Sequence, residues 1–325
     1  METLLEIGEL KVAFHLRDSV VHAVNGISYS LHKGETIGLV GESGCGKTVS
    51  SMSMLKLISM PPGKIEGGSV VFGGKDLVPM GRDELRQIRG KEIGVIFQDP
   101  MTAFNQLMTV GDQLTEGYRT HFKASRKEAL RRAEELMDQV GIPSASSRLK
   151  EYPSQYSGGM RQRAMIAMAL MCSPRMIIAD EPTTALDVTI QAQILDLVKD
   201  IRSSSNMSIL WVSHDLGVVA GLADRVLVMY AGSIVEDAPA EELYGNPLHP
   251  YTKGLLSSLP SADGGGKKRL SSIPGFPPLM NRIPPGCSFA PRCPYAADIC
   301  RSEIPPLRQA GGNTQNSHSA ACHLA

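Results

Sequence analysis

The sequence predicts an α/β fold organised around a phosphate-binding loop, and three observations carry that expectation. Thr36-Ile-Gly-Leu-Val40 is a short apolar run that ends in a glycine-rich turn, Gly41-Glu-Ser-Gly-Cys-Gly46. Behind the turn, Lys47 to Leu57 has helical spacing. Two further apolar runs, Met176-Ile-Ile-Ala179 and Ser208-Ile-Leu-Trp-Val212, are short enough for buried parallel strands. Strand, glycine loop and helix, in that order, is the context a phosphate-binding loop requires.

Composition sets the outer limits. The 325 residues suffice for about two domains. Hydrophobic residues make up 42% and charged residues 20%, the balance of a folded globular protein rather than a disordered one. Lys+Arg and Asp+Glu are equal at 33 each, so no bulk field draws the chain to nucleic acid or anionic lipid. The acidic start, Met1-Glu-Thr-Leu-Leu-Glu6, lacks the basic-then-apolar order of a signal peptide. No apolar run approaches the length of a bilayer span. The expectation is a cytoplasmic chain, any membrane role of which comes through partners, with no nucleic-acid partner.

Other elements follow along the chain. Ser125 with Glu128 forms a capping-box pattern, and Ala129, Leu130, Ala133, Leu136, Met137 and Val140 make one apolar helical face that Gly141 and Pro143 stop. Arg225 to Val235 reads as two strands around a Gly-Ser turn. Ser261 to Arg269 has linker composition, and a Pro- and Cys-rich tail follows. There is no internal repeat.

Gly41-Glu-Ser-Gly-Cys-Gly-Lys-Thr48 matches G-x-x-x-x-G-K-[ST] at every fixed position. Its glycines let backbone N–H groups of the loop (Gly41, Ser43, Gly44, Cys45, Gly46) converge on phosphate oxygens, and the following helix points its positive end at the same anion. Lys47 is expected to reach the β and γ phosphates of ATP, and the Thr48 hydroxyl to sit on Mg²⁺. Asp180 ends an apolar run where it can join the Mg²⁺ shell, and Glu181 follows where it can polarise water. Two acids at a strand end are common; pairing with the glycine loop makes them specific.

Tyr156-Ser-Gly-Gly-Met-Arg-Gln-Arg163, just upstream, resembles the signature of the ABC ATPases. Other pieces resemble the same family in order: Gln98 the Q-loop, which also ligates Mg²⁺; Thr184-Ala-Leu-Asp187 the D-loop; His214 the switch histidine; Phe14 the aromatic that stacks on adenine. The likeness runs from about Leu5 to about Ala238. It implies an ATPase in which Glu181, His214 and Gln98 act in hydrolysis. It also implies that Ser157, Gly158 and Gly159 of one subunit close over the ATP of another, so that two nucleotides lie at a dimer interface. Met160 departs from the pattern, standing where the family has Gln.

The tail narrows the resemblance. Pro247-Leu-His-Pro-Tyr-Thr-Lys253, then Cys287, Cys293, Cys300 and Cys322, resemble the C-terminal extension of oligopeptide and dipeptide importer ATPases, a group that includes nickel and glutathione importers. The spacing C-x5-C-x6-C-x21-C lacks the short knuckles of structural zinc sites, while iron–sulfur clusters tolerate wider spacing. The resemblance implies a [4Fe-4S] cluster on these four cysteines, with zinc as the alternative and a structural role for either. Arg292 and the nearby prolines are expected to shape the ligand loop, and Cys45 and Cys172 to lie outside it.

The expected fold is thus α/β, a P-loop ABC ATPase core with an antiparallel β subdomain and a helical subdomain (about 102–172) within residues 1–246, plus a small Cys/Pro-rich metal-binding extension over 247–325. The expected function is ATP hydrolysis powering import of di- or oligopeptides at the cytoplasmic face of the membrane. The implied partners are a paralogous ABC ATPase subunit, two membrane permease subunits and an extracytoplasmic substrate-binding protein. A soluble ABC ATPase working on ribosomes or DNA would carry two cassettes or a long coiled coil, and neither is present. A nucleotide-binding subunit without turnover is the third reading, against which Glu181 and His214 stand.

Overall fold

The structure is a computed structural model that describes residues 2–184, 187–259, 272–309 and 318–325. It divides into two compact units, one comprising Met1–Pro79 with Trp211–Ala325 and the other Met80–Leu210. The segment expected to be a linker, Ser261 to Arg269, lies outside the described residues.

The first unit opens with β1 (Thr3–His15), β2 (Val20–His32), β3 (Thr36–Val40), α1 (Lys47–Ser53), β4 (Gly63–Phe72) and β5 (Lys75–Asp76). β1 alternates buried and exposed side chains over much of its length, the mark of a half-buried antiparallel strand. It pairs antiparallel with β2 on one side and β4 on the other, and β5 completes the order β2-β1-β4-β5. This is the expected antiparallel β subdomain. β3 instead buries all five residues, as a strand covered on both faces must. The helix behind the glycine loop is shorter than its spacing predicts. It ends at Ser53, and Lys56 adopts φ +50°, a left-handed turn that an α-helix cannot pass through.

The second unit contains α2 (Arg82–Ile88), β6 (Ile93–Ile96), α3 (Pro100–Ala103), α4 (Val110–Phe122), α5 (Arg126–Gln139), α6 (Ala145–Arg148), α7 (Gly158–Leu170), β7 (Met176–Asp180) and α8 (Val188–Ser205). β6 and β7 pair in parallel, Ile93 opposite Met176 through Ile96 opposite Ala179. The helices α4, α5 and α7 pack on one another. In α5, Ser125 Oγ accepts the Glu128 N–H at 3.2 Å, and Ala129, Ala133, Leu136 and Met137 are buried. Gly141 turns the chain out at φ +76°. α7 buries residues on several sides, among them Ala164, Met165, Ile166 and Ala167, so it is a core helix rather than a surface one.

The chain leaves the second unit within β8 (Ser208–Ser213). The first unit then continues with α9 (Leu216–Ala220), β9 (Arg225–Tyr230), β10 (Ser233–Pro239), α10 (Ala240–Gly245), α11 (Pro250–Ser257), α12 (Asp298–Ser302), β11 (Arg308–Gln309) and β12 (Ser319–Ala320). β3 lies parallel to β9, and β9 antiparallel to β10. Tyr230 faces Ser233, so the turn is Ala231-Gly232, one residue before the Gly-Ser pair that the sequence suggests. Both turn residues have positive φ, +46° and +82°, as a two-residue hairpin matching the strand twist demands. β12 pairs antiparallel with β10 through Glu236–Ala320 and Asp237–Ser319, so the tail adds an edge to the sheet. The described tail residues belong to the first unit.

Candidate functional site

In the first unit, β3 runs straight into the glycine loop, and the packing explains its glycines. A Cβ on Gly41 would stand 2.2 Å from the Met229 carbonyl oxygen, and one on Gly46 would stand 2.2 Å from that of Ala23. Gly46 also holds φ +105°, which side chains rarely adopt. The loop is therefore pressed between β2 and β9 so closely that only hydrogen fits. Lys47, the first residue of α1, is 4% exposed and folds its ammonium back over the loop. Its Nζ donates to the Gly41 carbonyl at 2.8 Å and the Glu42 carbonyl at 3.1 Å. Ser43, Gly44 and Thr48 are exposed, whereas Cys45 is buried. Burial pushes the Cys45 thiol upward, so at neutral pH it is an uncharged packing group.

The same unit holds two more of the expected residues. Phe14 is half-buried on β1, opposite Val21 and Gly63, and a Cβ on Gly63 would meet its ring at 3.1 Å. His214 is exposed immediately after β8.

The second unit brings together residues that are far apart in sequence. Asp180 ends β7 and is 3% exposed; Glu181 follows with φ +45°, a left-handed conformation costing a non-glycine residue about 1–2 kcal/mol. Gln98, in the loop after β6, donates from Nε2 to Glu181 Oε2 at 3.2 Å. Thr184 Oγ1 donates to the same oxygen at 3.1 Å. Gln162 of α7 donates to the Pro182 carbonyl at 2.5 Å, tying the signature helix to the turn behind Glu181. Ser157 is the N-cap of α7, its Oγ accepting the Met160 N–H at 3.3 Å, while Gly158 has open space around it. Asp187 caps α8 by accepting from Ile190 N–H at 2.9 Å; Ala185 and Leu186 lie outside the described residues.

Two of the four tail cysteines are joined through the backbone. Cys287 N–H donates to the Cys300 carbonyl at 2.8 Å. Burial pushes the Cys287 and Cys293 thiols up, and Cys300 and Cys322 add to the effect for both. Yet among the described residues no group of three or more His, Cys, Asp or Glu side chains is drawn close enough to hold a metal ion. Arg292, expected to shape the ligand loop, bonds to groups outside the cysteines. Its guanidinium makes a two-pronged pair with Glu42 at 2.6 and 3.0 Å, and its Nε donates to the Pro274 carbonyl at 3.0 Å. Tyr251 also reaches Glu42, its hydroxyl accepting the Glu42 N–H at 2.8 Å. Sequence reasoning missed both contacts, since Glu42 occupies a variable place in the loop motif and nothing in one sequence links position 42 to 251 or 292.

Comparison with known proteins shows the family. The sequence profile of the ABC transporter family matches residues 24–184, and that of the oligopeptide/dipeptide transporter C-terminal region matches residues 235–300. Oligopeptide transport ATP-binding protein OppD of Bacillus subtilis (strain 168) is 51% identical over 304 residues, covering 94% of this chain and 85% of its own length. Dipeptide transport ATP-binding protein DppD of the same organism is 49% identical over 326 residues, covering 100% of this chain and 95% of its own. Among solved structures, the ATP-binding cassette MJ0796, a dimer in a post-hydrolysis state bound to ADP and Pi, superposes with a TM-score of 0.66 at 24% identity. It covers 73% of this chain and 98% of its own, a likeness of fold. The fold, the two profile matches and half-identity to full-length relatives together show that the chain belongs to the ABC transporter ATP-binding proteins, in the branch that carries the oligopeptide/dipeptide transporter C-terminal region.

Proposed function

We propose that this chain binds and hydrolyses ATP to power the import of di- or oligopeptides, at the cytoplasmic face of the membrane. The observation that carries the ATP reading is the loop 41–48, with glycines where a Cβ would strike backbone and a buried Lys47 folded across it. Such a loop presents N–H groups and one ammonium to a polyphosphate. The peptide reading rests on relatives whose names are those of oligopeptide and dipeptide transport ATP-binding proteins.

In this reading Phe14 stacks on adenine, the backbone of Gly41, Ser43, Gly44, Cys45 and Gly46 holds the phosphates, and Lys47 binds the β and γ groups. Thr48, Asp180 and Gln98 all offer oxygen donors, a hard set that suits Mg²⁺. The ion, when bound, neutralises charge on the β and γ phosphates. Glu181 accepts a proton from the attacking water, with Gln98 orienting its carboxylate and His214 steadying the γ-phosphate. Ser157, Gly158 and Gly159 serve the nucleotide of the other subunit. Ser157 Oγ accepts from its own helix, and its hydroxyl proton remains the group to offer an anion.

No helix among the described residues is long and apolar enough to cross a membrane. Translocation is therefore assigned to two permease subunits, with a paralogous ATPase as the second half of the motor and an extracytoplasmic binding protein delivering peptide. Residues 247–325 are read as an extension whose Cys287, Cys293, Cys300 and Cys322 carry a [4Fe-4S] cluster, zinc being the alternative. The support is the profile match over residues 235–300, which takes in Cys287, Cys293 and Cys300, and the backbone bond that joins Cys287 to Cys300. The described positions do not gather three ligands at metal-holding distance, so no step of the reaction is assigned to the cluster.

The test is reconstitution with the permeases in vesicles, measuring ATP-driven accumulation of labelled peptides delivered by the binding protein. Uptake that ignores ATP, or hydrolysis that ignores peptide-loaded binding protein, would defeat the reading.

A further inference from the structure

Glu42, the residue after Gly41 in the phosphate-binding loop, has all three of its polar groups engaged. Its N–H donates to Tyr251 Oη at 2.8 Å, its carbonyl accepts from Lys47 Nζ at 3.1 Å, and its carboxylate takes two guanidinium bonds from Arg292 at 2.6 and 3.0 Å. Two of the three partners come from the tail, Tyr251 from α11 and Arg292 from the turn that leads to Cys293.

Arg292 reaches the loop already fixed. Its side chain is 4% exposed against 27% for Glu42. Its Nε is held by the Pro274 carbonyl, and its guanidinium carbon lies 5.9 Å from the ring centres of both Tyr230 and Phe289. Those rings pack with Tyr251 at centre distances of 4.6–5.4 Å. A planar fork held this way matches a carboxylate in two bonds, which a lysine could not do.

The charges give the arrangement a purpose. Glu42 is an anion built into a loop whose work is to receive a larger anion, and left bare it would repel the triphosphate. We propose that Arg292 is a positioning residue of the nucleotide site, one that cancels the Glu42 charge and holds its carboxylate aside, so that the tail completes the ATP site. This rests on reading residues 41–48 as that site. The role is positional because Arg292 acts through Glu42 and is not placed on the nucleotide.

The test is calorimetric titration of the full-length chain with ATP and Mg²⁺ at several salt concentrations. Arg292→Gln is expected to raise the Kd roughly tenfold, the order that an uncancelled like charge nearby imposes, and less so at high salt. Adding Glu42→Gln to it should restore most of the affinity, because the harm lies in the bare carboxylate. Arg301→Gln, an exposed cation of the same tail, should bind as wild type. Wild-type affinity in Arg292→Gln, or a double variant as weak as the single one, overturns the proposal. Should Arg292→Gln fail to fold, Glu42→Gln alone decides. It must bind ATP at least as tightly as wild type, and weaker binding shows that the pair serves only the shape of the loop. Lys47→Ala separates the premises. Normal ATP binding in it defeats the reading of the loop, whereas lost binding in it beside normal binding in Arg292→Gln defeats the Arg292 proposal alone.

Discussion

Gln98 donates to Glu181 across 83 positions of sequence, Nε2 to Oε2 at 3.2 Å. An amide N–H on a carboxylate oxygen fixes the direction of the carboxylate, which a general base requires. Thr184 adds a second donor to that oxygen, and the left-handed backbone at Glu181 aims the side chain from a conformation that carries strain. Strain at an acidic residue directly after a regular buried strand makes Glu181 the residue to test first.

Glu181→Gln keeps the shape and removes the charge. ATP binding should persist while hydrolysis falls by roughly 10²–10⁴-fold, the range for loss of a general base. Rapid-quench turnover of the assembled transporter, beside nucleotide titration, measures both. Turnover near wild type would assign the water to another residue.

The glycine loop makes a steric prediction. Gly46→Ala puts a Cβ 2.2 Å from the Ala23 carbonyl oxygen, below any real contact, and the obstacle is backbone that cannot swing away. Either β2 or the loop must shift, so ATP affinity should fall at least tenfold and the melting temperature should drop. Gly44→Ala is the comparison. It also has positive φ, +78°, but nothing lies within 4 Å of its Cβ, so its cost is the conformational term alone, about 1–2 kcal/mol. Equal damage from the two substitutions, by thermal melts and titration, would contradict the contact geometry.

Much of this was legible because it is local. The run Thr36–Val40 is apolar at nearly every position, and it is the buried strand β3; the Ser125 cap and the α5 face follow from spacing that a 3.6-residue period imposes. Glycine spacing likewise announced the phosphate loop. What stayed hidden depends on folding the chain back on itself. The two-residue strand β12 has no periodicity to read, and its place beside β10 comes from pairing with Glu236 and Asp237. Arg292 stands next to a cysteine in sequence yet spends its charge on Glu42, 250 positions away. A buried cation goes to the carboxylate it can reach, and adjacency in sequence does not decide that.

The tail cysteines give a compositional prediction. Protein purified without oxygen or a metal-carrying tag should hold about four iron and four sulfide per chain, as a [4Fe-4S] cluster requires. Serine at Cys287, Cys293, Cys300 or Cys322 should bleach it, and serine at the buried Cys172 should not. Stoichiometric zinc without iron would select the alternative. Neither metal, in protein that folds and binds ATP, would show that the tail needs none.

Ser157 tests the sharing of nucleotide sites between subunits. It caps α7, and arginine there removes a cap worth about 0.5–2 kcal/mol from a helix whose core side chains, among them Ala164, Met165, Ile166 and Leu170, remain buried. The fold should therefore survive Ser157→Arg, and this chain's own loop 41–48 should be untouched, while a long side chain fills the anion end of the helix. In a dimer with a paralogous partner, this variant should empty the partner's site and leave the site on this chain's loop occupied. Met160→Gln, which changes a side chain but keeps the backbone N–H that Ser157 accepts, should alter turnover only modestly. Purified alone, the wild-type chain should hydrolyse ATP slowly, and the paralogous subunit with two permeases should raise the rate. Photo-crosslinking with azido-ATP on each subunit reads the occupancy directly. Loss of labelling on this chain rather than on its partner would mean that loop and signature of one chain serve the same nucleotide. Full speed from the isolated chain would remove the need for a second kind of subunit.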